Sequence, residues 1–481
     1  MPLRPRMIRR ATILLPLAAA GVLIAAAAPA SANVAVTQVS SDPFADAQAQ
    51  HRTEVEPDTF TFGNTIVSAF QTGRVSGGGS SDIGFATSTN GGATWTQGFL
   101  PGITGNVGAG PCGQASDAAV AFDARHNAWL ISSLGVNCPN TPVFTSRSTD
   151  GGLTWSRPIT TATGSNDKNW IVCDNTNSSP FFGNCYTEYD VTSNGNAMRM
   201  TTSSDGGATW GPARATGDNA SGLGGQPVVR PNGTVLVPFQ TGGQIRSFRS
   251  IDGGASWRST VQVATVSHHT EAGNLRSEFL PTAEIDAAGT AYVAWSDCRF
   301  RSGCPANDIV ISKSTSETTW AAPIRVPIDA TTSTVDHFVP GIGIDRNTSG
   351  ATARIGLTYY FYPTSNCTAT TCQLNAGFVS STNGGASWST ATQIAGPMSL
   401  SWIPNTSQGR MFGDYISTSV RPGGNAFPVI PIASAPTGTT FNMGMFVPTG
   451  GLAVTGGALR ASTTPVEAPL SGRAIGAATA F

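Results

Sequence analysis

The stretch STDGGLTW (residues 148–155) decides the fold, because the chain repeats it. Asp150 can accept hydrogen bonds from the backbone N–H groups that follow it, and the two Gly residues supply the positive φ angles of a tight chain reversal. The closing Trp begins the outgoing strand and buries a large indole ring. We therefore interpret the octapeptide as the corner of a β-hairpin, with a structural role rather than a catalytic one.

Four near-copies recur along the chain: STNGGATW (88–95), SSDGGATW (203–210), SIDGGASW (250–257) and STNGGASW (381–388). The first four corners lie one repeat apart, at a spacing that accommodates about four short strands. The last gap is twice as long, and a degenerate copy, STSETTW (314–320), lies inside it. The sequence thus contains six corners.

A two-strand phrase precedes each corner, most clearly in SDAAVAFDARHNAWLISSL (116–134). Helical periodicity is missing, so we predict an all-β fold of four-stranded antiparallel units closed radially as a β-propeller, with the corners on the periphery. The phrase recurs once more in residues 413–433, and residues 441–447 supply a third strand. This predicts seven blades, with six as the alternative, and the strand NVAVTQV (33–39) completes the last blade.

The chain begins with features of a secretory signal peptide. Four Arg residues precede an apolar run that ends in the small-x-small site Ala30-Ser31-Ala32. We therefore predict a signal peptide over 1–32, a propeller over 33–447 and a C-terminal tail over 448–481, for which packing on the last blade is one arrangement. The expected location is extracellular, and no later run is long enough to span a membrane.

Charge excludes several classes of partner. Removing the four Arg of the signal peptide from the 27 basic residues leaves 23, against 28 acidic residues. This negative balance argues against a nucleic acid or an anionic membrane as partner. Charged residues make up only 11% of the chain, which suits a loop-rich exported β-protein.

All eight cysteines follow the signal peptide, and an oxidising compartment favours disulfides. Neighbours in sequence give four local pairs: Cys112 with Cys138, Cys173 with Cys185, Cys298 with Cys304, and Cys367 with Cys372. C-x-x-C motifs are absent from the sequence, so we expect no zinc site, and the prediction includes no metal and no cofactor.

Strand geometry locates a candidate site. The corners lie between the third and fourth strands of each unit, so the start of strand one and the end of strand two meet at the opposite face. Charged residues gather at these positions. We predict catalytic carboxylates at Glu56, Asp117, Asp297 and Asp414, and substrate contacts at Arg74, Lys168, Arg299, Tyr360 and Tyr415.

The corners resemble the Asp-box, or BNR, repeats of sialidases, and the intervening sequence resembles secreted bacterial sialidase-like propellers across nearly the whole mature chain. The shared phrases are EVEPD (54–58), FQTGR (70–74), SDAAVAFD (116–123), DKNWIVCD (167–174), WSDCRF (295–300), TYYFYP (358–363) and FGDYIS (412–417). The Arg-Ile-Pro motif of sialidases is missing from the sequence, and IRVPID (324–329) follows a corner. We therefore do not transfer the sialidase catalytic roles.

Two functions of different class remain. The first is a secreted glycoside hydrolase acting on extracellular polysaccharide or glycoconjugate, in which carboxylates act as general acid and as base or nucleophile. The second is a non-catalytic carbohydrate-binding or protein-binding propeller. Carboxylates that share one pocket favour the hydrolase, whereas acids paired to local Arg residues favour the binder. We expect a monomer with an extracellular glycan as its partner.

Overall fold

The computed structural model describes residues 34–466, together with Met1. The predicted signal peptide, apart from Met1, lies outside the described residues. The described chain is all-β, with 32 strands and three single-turn 3₁₀ helices at Thr192–Asn194, Gly350–Thr352 and Leu400–Trp402. Within these residues, a helix long and apolar enough to cross a membrane is absent.

Most strands belong to four-stranded antiparallel units, numbered here in chain order. The first strand, β1 (Val36–Gln38), pairs outside this order and is described with unit 7. Unit 1 contains β2 (Glu54–Phe62), β3 (Thr65–Arg74), β4 (Ser80–Ser88) and β5 (Thr96–Phe99). Unit 2 contains β6 (Gln114–Asp123), β7 (Ala128–Val136), β8 (Val143–Ser148) and β9 (Ile159–Ala162). A single residue pair, Ser80 with Ala115, joins these two units into one eight-stranded sheet.

Units 3 to 5 are separate four-stranded sheets. Unit 3 contains β10 (Asn166–Cys173), β11 (Cys185–Val191), β12 (Ala197–Ser203) and β13 (Arg214–Ala215). Unit 4 contains β14 (Val228–Val229), β15 (Val235–Thr241), β16 (Gln244–Ser250) and β17 (Val261–Thr265). Unit 5 contains β18 (Thr282–Ile285), β19 (Ala291–Asp297), β20 (Asp308–Ser314) and β21 (Ile324–Arg325).

Units 6 and 7 complete the set. Four short strands form two further two-stranded sheets. Unit 6 contains β22 (Asp336–Ile344), β23 (Ile355–Tyr362), β24 (Gln373–Ser381) and β26 (Thr392–Ser399), with β25 (Ser387–Trp388) in its corner. The hairpin β27 (Asn405–Thr406) and β28 (Gly409–Arg410) follows. Unit 7 contains β29 (Ser417–Val420), β30 (Ala426–Thr437) and β31 (Thr440–Pro448). The last strand, β32 (Leu459–Arg460), pairs with β25.

The fourth strand of unit 7 is β1, which comes from the other end of the chain. Val36, Thr37 and Gln38 pair with the last residues of β31, and the N–H of Val39 donates to Met445 O at 2.9 Å. Val39 is buried. The N-terminal strand therefore covers an edge of β31 that would otherwise be unpaired.

The corners form the hydrogen bonds that their sequence predicts. In the 148–155 corner, Asp150 Oδ1 accepts from the N–H of Thr154 at 3.0 Å, and Ser148 Oγ accepts from the N–H of Gly152 at 2.9 Å. Gly151 and Gly152 have φ angles of 86° and 83°. The degenerate corner uses Ser316, whose Oγ accepts from the N–H of Thr319 at 2.9 Å. Each corner connects the third strand of its unit to the fourth.

The hydrophobic core is divided among the contacts between successive units. Eight buried clusters join unit 1 to 2, 2 to 3 (two clusters), 3 to 4, 4 to 5, 5 to 6, 6 to 7, and 7 back to 1. Representative pairs, in that order, are Phe85 and Phe122, Leu130 and Ile171, Met198 and Phe239, Ile245 and Trp295, Ile311 and Leu357, Leu374 and Ile430, and Val429 and Phe70.

The first strand of each unit is the innermost one. Each first strand contacts that of the next unit, and β29 of unit 7 contacts β2 of unit 1. One narrow cavity is lined by residues at or next to all seven first strands: Phe60, Val120, Ile171, Val228, Ala283, Ile342 and Ser417. Polar groups at the starts of these strands are therefore brought towards one axis.

Four first strands carry the same irregularity. The pairing register shifts in β2, β6, β10 and β22. A residue with positive φ lies in each shift: Glu56 (56°), Asp117 (48°), Lys168 (46°) and Val339 (46°). Such angles are strained for residues other than Gly, at a cost of about 1 to 3 kcal/mol each. Three of the four are predicted site residues.

The four predicted disulfides are confirmed. Cys112 bonds to Cys138, Cys173 to Cys185, Cys298 to Cys304 and Cys367 to Cys372. The second of these joins residues that lie directly opposite each other on β10 and β11. The described part of the C-terminal tail passes unit 7 at Leu452, unit 6 at β32 and unit 5 at Ser462.

Candidate functional site

Six residues from five different segments of the chain gather at the starts of the first strands. We call Glu56, Asp117, Lys168, Arg276, Asp414 and Tyr415 the mouth cluster. The backbone bulges of β2, β6 and β10 place the first three, and the loop before β29 places the last two. Sequence reasoning predicted five of these residues and missed Arg276.

Glu56 is the most enclosed acid of the mouth cluster, with 2% of its surface exposed. Its Oε1 accepts a hydrogen bond from the N–H of Asp414 at 3.1 Å, and its Oε2 accepts one from Gln71 Nε2. Burial, and then the charges of Asp414 and Asp117, raise the pKa of Glu56 to about 7. Glu56 can therefore hold a proton near neutral pH.

Asp117 faces a cation held by an aromatic ring. Lys168 Nζ lies 3.9 Å from Asp117 Oδ1 and 3.4 Å from the centre of the Tyr415 ring. The other carboxylate oxygen, Oδ2, is buried and has no hydrogen-bond partner among the described residues. Burial raises the pKa of Asp117 to about 6, against the opposing effect of Lys168. This carboxyl group is ionised at neutral pH and has an oxygen available to a ligand.

Asp414 and Arg276 form the most exposed pair of the mouth cluster. Arg276 Nε donates to Asp414 Oδ1 at 2.9 Å, and a terminal nitrogen donates to Oδ2 at 2.5 Å. Burial disfavours the charged guanidinium, but the charge of Asp414 outweighs it and raises the pKa of Arg276. The side chain of Arg276 is 10% exposed and that of Asp414 is 15% exposed, so a ligand can reach both.

Further acids surround the mouth cluster. Asp167 and Asp190 lie directly opposite each other on β10 and β11. Burial raises the pKa of Asp167 to about 6, and that of Asp190 well above its ordinary value. Glu278 is half-buried, and burial followed by the charge of Asp414 raises its pKa to about 7. Asp190 and Glu278 therefore hold protons more readily than ordinary carboxyl groups do.

Two predicted substrate contacts lie inside the fold. Arg74 is 1% exposed, and its guanidinium donates to Val75 O at 2.7 Å and to Gly79 O at 2.6 Å. Tyr360 is fully buried: its hydroxyl donates to Pro431 O at 2.6 Å, and its ring packs on Phe412. These contacts fix loops and adjoining units near the mouth cluster.

Asp297 and Arg299 form a pair at the end of β19, and the structure does not bring them into contact with the mouth cluster. Arg299 Nε donates to Asp297 Oδ1 at 2.9 Å, and a terminal nitrogen donates to Oδ2 at 2.6 Å. Trp295 Nε1 also donates to Asp297 Oδ2, at 3.1 Å. The Asp297 side chain is fully buried. This carboxylate is already occupied by protein donors.

A second buried network contains the one group in the described chain with ligand atoms close enough for a metal ion, formed by Asp308, Asp329 and His337. Arg301 and Arg325 each form ion pairs with both aspartates, at 2.6 to 2.9 Å. Two guanidinium groups thus already balance the two carboxylates, and we interpret the network as structural.

A side cavity of about 320 Å³ lies beside the mouth cluster. Its lining comes from the residue before β4, the start of β6, the end of β7 with the loop that follows it, the start of β10 and the residue after β11: Gly79, Ser116, Leu134, Val136, Asn137, Cys138, Thr141, Asn166, Asp167 and Thr192. Gln71 Nε2 donates both to Ser116 Oγ at 3.1 Å and to Glu56 Oε2. One side chain therefore links the side cavity to the mouth cluster.

Sequence reasoning missed Arg276 and Gln71. Arg276 lies in a loop that precedes the first strand of unit 5, and loop contacts follow no strand periodicity. Gln71 is the second residue of the phrase FQTGR, in which the charged residue, Arg74, is the one that the sequence analysis selects. In a chain with few charges, ionisable residues stand out in the sequence, whereas the amide of Gln71, which orients Glu56, does not.

Comparison with known proteins finds similarity to a sialidase over a short part of the chain. Protein-family models that match the chain were not found. A sialidase from Bacteroides fragilis is 32% identical over 108 residues, which cover 18% of this chain and 20% of the relative. The match therefore spans about a fifth of that protein's length.

Solved structures that the chain resembles include a protein of unknown function, a sialidase and a polysaccharide lyase. A protein of unknown function from Dyadobacter fermentans has a TM-score of 0.46 at 17% identity, covering 72% of this chain and 98% of its own. The NanB sialidase of Streptococcus pneumoniae has a TM-score of 0.43 at 12% identity, covering 86% and 70%. An ulvan lyase of polysaccharide lyase family PL25 has a TM-score of 0.49 at 11% identity, covering 85% and 97%. With TM-scores below 0.5, we infer no activity from these structures.

Proposed function

We propose that the protein is a secreted, sialidase-like glycoside hydrolase that acts on extracellular polysaccharide or glycoconjugate through the mouth cluster. The observation that carries the proposal is the pair of unlike carboxyl groups there. Glu56 holds a proton near pH 7, whereas Asp117 has a lower pKa and an unpartnered oxygen. Two carboxyl groups whose surroundings separate their pKa values are the usual equipment for glycoside hydrolysis.

The proposed scaffold is a seven-bladed β-propeller closed by β1. Three observations support it: seven four-stranded units, hydrophobic clusters that connect them cyclically, and a cavity lined by all seven first strands. Radial closure protects the edge strands of the units. It also brings loop residues that are far apart in sequence to one mouth at the axis. The four disulfides support export to an oxidising compartment.

Glu56 acts as general acid in this proposal, and Asp117 as base or nucleophile. Glu56 donates its proton to the oxygen of the leaving sugar, and Lys168 and Tyr415 hold Asp117 in place. The N–H of Asp414 orients Glu56. The partly exposed ion pair of Asp414 and Arg276 contacts sugar hydroxyls. We assign Arg74, Tyr360, Asp297 and Arg299 to support of the fold. The protein acts as a monomer without a cofactor or metal.

One observation favours a second candidate, a glycan-binding protein without catalysis. Asp414 and Asp297 are each paired to an Arg, as the binding hypothesis expects. A propeller of this kind binds glycan chains through the same mouth without cleaving them.

The two candidates are separated by a screen of the disulfide-bonded protein against fluorogenic reporter glycosides and a printed glycan array. The hydrolase proposal requires release of fluorophore from at least one glycoside, and loss of that release in Glu56→Gln and Asp117→Asn. Glycan binding without turnover of any reporter or array glycan establishes the second candidate instead.

A further inference from the structure

The side cavity has the lining of a sugar subsite. Its volume, about 320 Å³, is at the lower end of the range for small-molecule sites and suits a single sugar ring. Leu134 and Val136 supply an apolar wall, while Ser116, Asn166 and Asp167 supply polar groups. Sugars need both kinds of surface, because a pyranose ring presents C–H groups on its faces and hydroxyl groups at its edge.

Two buried polar groups in this lining have hydrogen-bonding capacity to spare. Asn166 is 3% exposed, and its Nδ2 donates to Thr141 O at 2.9 Å. Its Oδ1 is buried and has no partner among the described residues. Ser116 is 4% exposed and accepts a hydrogen bond from Gln71, which leaves its own O–H to donate. A buried acceptor without a partner is unfavourable, and a donor group on a ligand would satisfy it.

The charge of the lining indicates which sugars it accepts. Asp167 is the only ionisable side chain among the lining residues, and Lys and Arg are not among them. Asp190 lies directly opposite Asp167, but burial raises its pKa well above the ordinary value, so it stays protonated and adds no charge. A carboxylate or sulfate on the ligand would meet acceptors and negative charge, whereas hydroxyl groups would find acceptors for their protons.

We propose that the side cavity is a subsite for one uncharged sugar unit, next to the unit bound at the mouth cluster. The substrate is then a glycan chain of two or more units, with a neutral unit at this position. The link through Gln71 sets the two sites side by side, because one amide contacts Glu56 and Ser116 together. The inference rests on the proposed function for the identity of the neighbouring site.

The test uses two variants of the lining and one matched control in the disulfide-bonded protein. Thr141→Trp places an indole in the side cavity, and Asn166→Ala removes the unpartnered acceptor. Thr392→Trp makes the same exchange at an exposed residue on the outer strand β26, far from the cavity. Circular dichroism and melting curves verify that each variant is folded.

The probe is a printed array of neutral, carboxylated and sulfated glycans of one to four units. For the wild type and Thr392→Trp, we expect neutral chains of two or more units to bind at least about tenfold more tightly than single units, a gain of about 1.4 kcal/mol. Both lining variants should lose this gain. An unchanged gain in Thr141→Trp, tighter binding of chains with a charged unit at every position, or no binding to any neutral glycan overturns the inference.

Failure of this inference differs from failure of the proposed function. If reporter glycosides of one and two neutral units are cleaved with equal kcat/KM, the hydrolase stands and the subsite does not. If no glycoside is cleaved but Thr141→Trp abolishes the chain-length gain on the array, the subsite stands and hydrolysis does not.

Discussion

Glu56 and Asp414 are 358 residues apart in sequence, yet the backbone N–H of Asp414 donates to Glu56 Oε1 at 3.1 Å. The contact joins the first strand of unit 1 to the loop before unit 7. It orients the carboxyl group that we assign as general acid, and it places that group within the charge field of the Asp414–Arg276 pair. The proposed chemistry therefore depends on how the two ends of the chain meet.

Glu56→Gln should reduce turnover by about 10²- to 10⁴-fold, because the amide cannot donate a proton to a leaving group. The matched control is Glu54→Gln. Glu54 lies on the same strand, is equally buried, and bonds Ser40 Oγ and the N–H of Met445, away from the mouth cluster. Turnover on a reporter glycoside should survive in the control. Equal losses in both variants would remove Glu56 as the acid.

The pH dependence of kcat/KM should be bell-shaped, with its maximum between about pH 6 and 7. Below about pH 6 the base Asp117 is protonated, and above about pH 7 the acid Glu56 loses its proton. Initial rates at low substrate concentration between pH 4 and 9 measure the profile. A rate that rises steadily to pH 9 would contradict the assignment.

Asp297→Asn should mainly destabilise the fold. Removing one partner of a buried ion pair costs about 3 to 5 kcal/mol, because Arg299 is left without its counter-charge. Turnover of the folded fraction should stay within about twofold of wild type. Asp345→Asn is the control. Its partner Arg354 is 24% exposed and can be solvated, so the melting temperature of this variant should fall less. Loss of turnover without loss of stability would return Asp297 to the catalytic group.

The fold should be more stable at pH 5 than at pH 8. Burial raises the pKa of Glu54 from 4.5 to about 8, and the pKa of Asp58 and of Asp82 to about 7. Between these values and the ordinary ones, the folded state binds more protons than the unfolded state, so the free energy of unfolding falls as pH rises.

Melting temperatures at pH 5, 6, 7 and 8 measure this effect in the wild type and in Glu54→Gln. The decline should be smaller in the variant, because Gln cannot ionise. A melting temperature that rises from pH 5 to pH 8 in the wild type would show that these carboxyl groups are not protonated in the fold.

Deleting residues 34–39 from the mature protein should lower the melting temperature by several degrees. The deletion removes β1 and buried Val39, and it leaves the edge of β31 unpaired. Differential scanning calorimetry of the truncated and intact proteins gives the comparison. The idea that β1 closes the scaffold fails if both forms melt at the same temperature.

The sequence predicted the all-β class and the disulfides because both depend on local patterns. A corner such as 148–155 needs only its own Asp and Gly residues, and each cysteine has its partner within 26 residues. Seven strand phrases likewise predicted seven four-stranded units, of which five are separate sheets and two are joined in one eight-stranded sheet. In each case the information lies within one unit of the chain.

The candidate site was harder to predict because its geometry depends on contacts between units. Starts of first strands identified Glu56, Asp117 and Asp414, but ends of second strands also selected Asp297, which Arg299 two residues later already binds. Tyr360 lies near the end of a second strand, as predicted, yet the adjoining unit covers its ring completely. Arg276 comes from a loop that pairs with Arg410 of the β27–β28 hairpin, a contact between distant residues that no local pattern predicts.

The left-handed bulge shared by β2, β6, β10 and β22 separates backbone shape from side-chain identity. Glu, Asp, Lys and Val occupy equivalent positions with φ angles within 10° of one another. The same backbone conformation therefore carries a carboxylate on a short or a long side chain, an ammonium group or an aliphatic group. Such a backbone position lets substitution exchange the reactive groups of the mouth one unit at a time, whereas Val339 is buried in the apolar cluster between units 6 and 7.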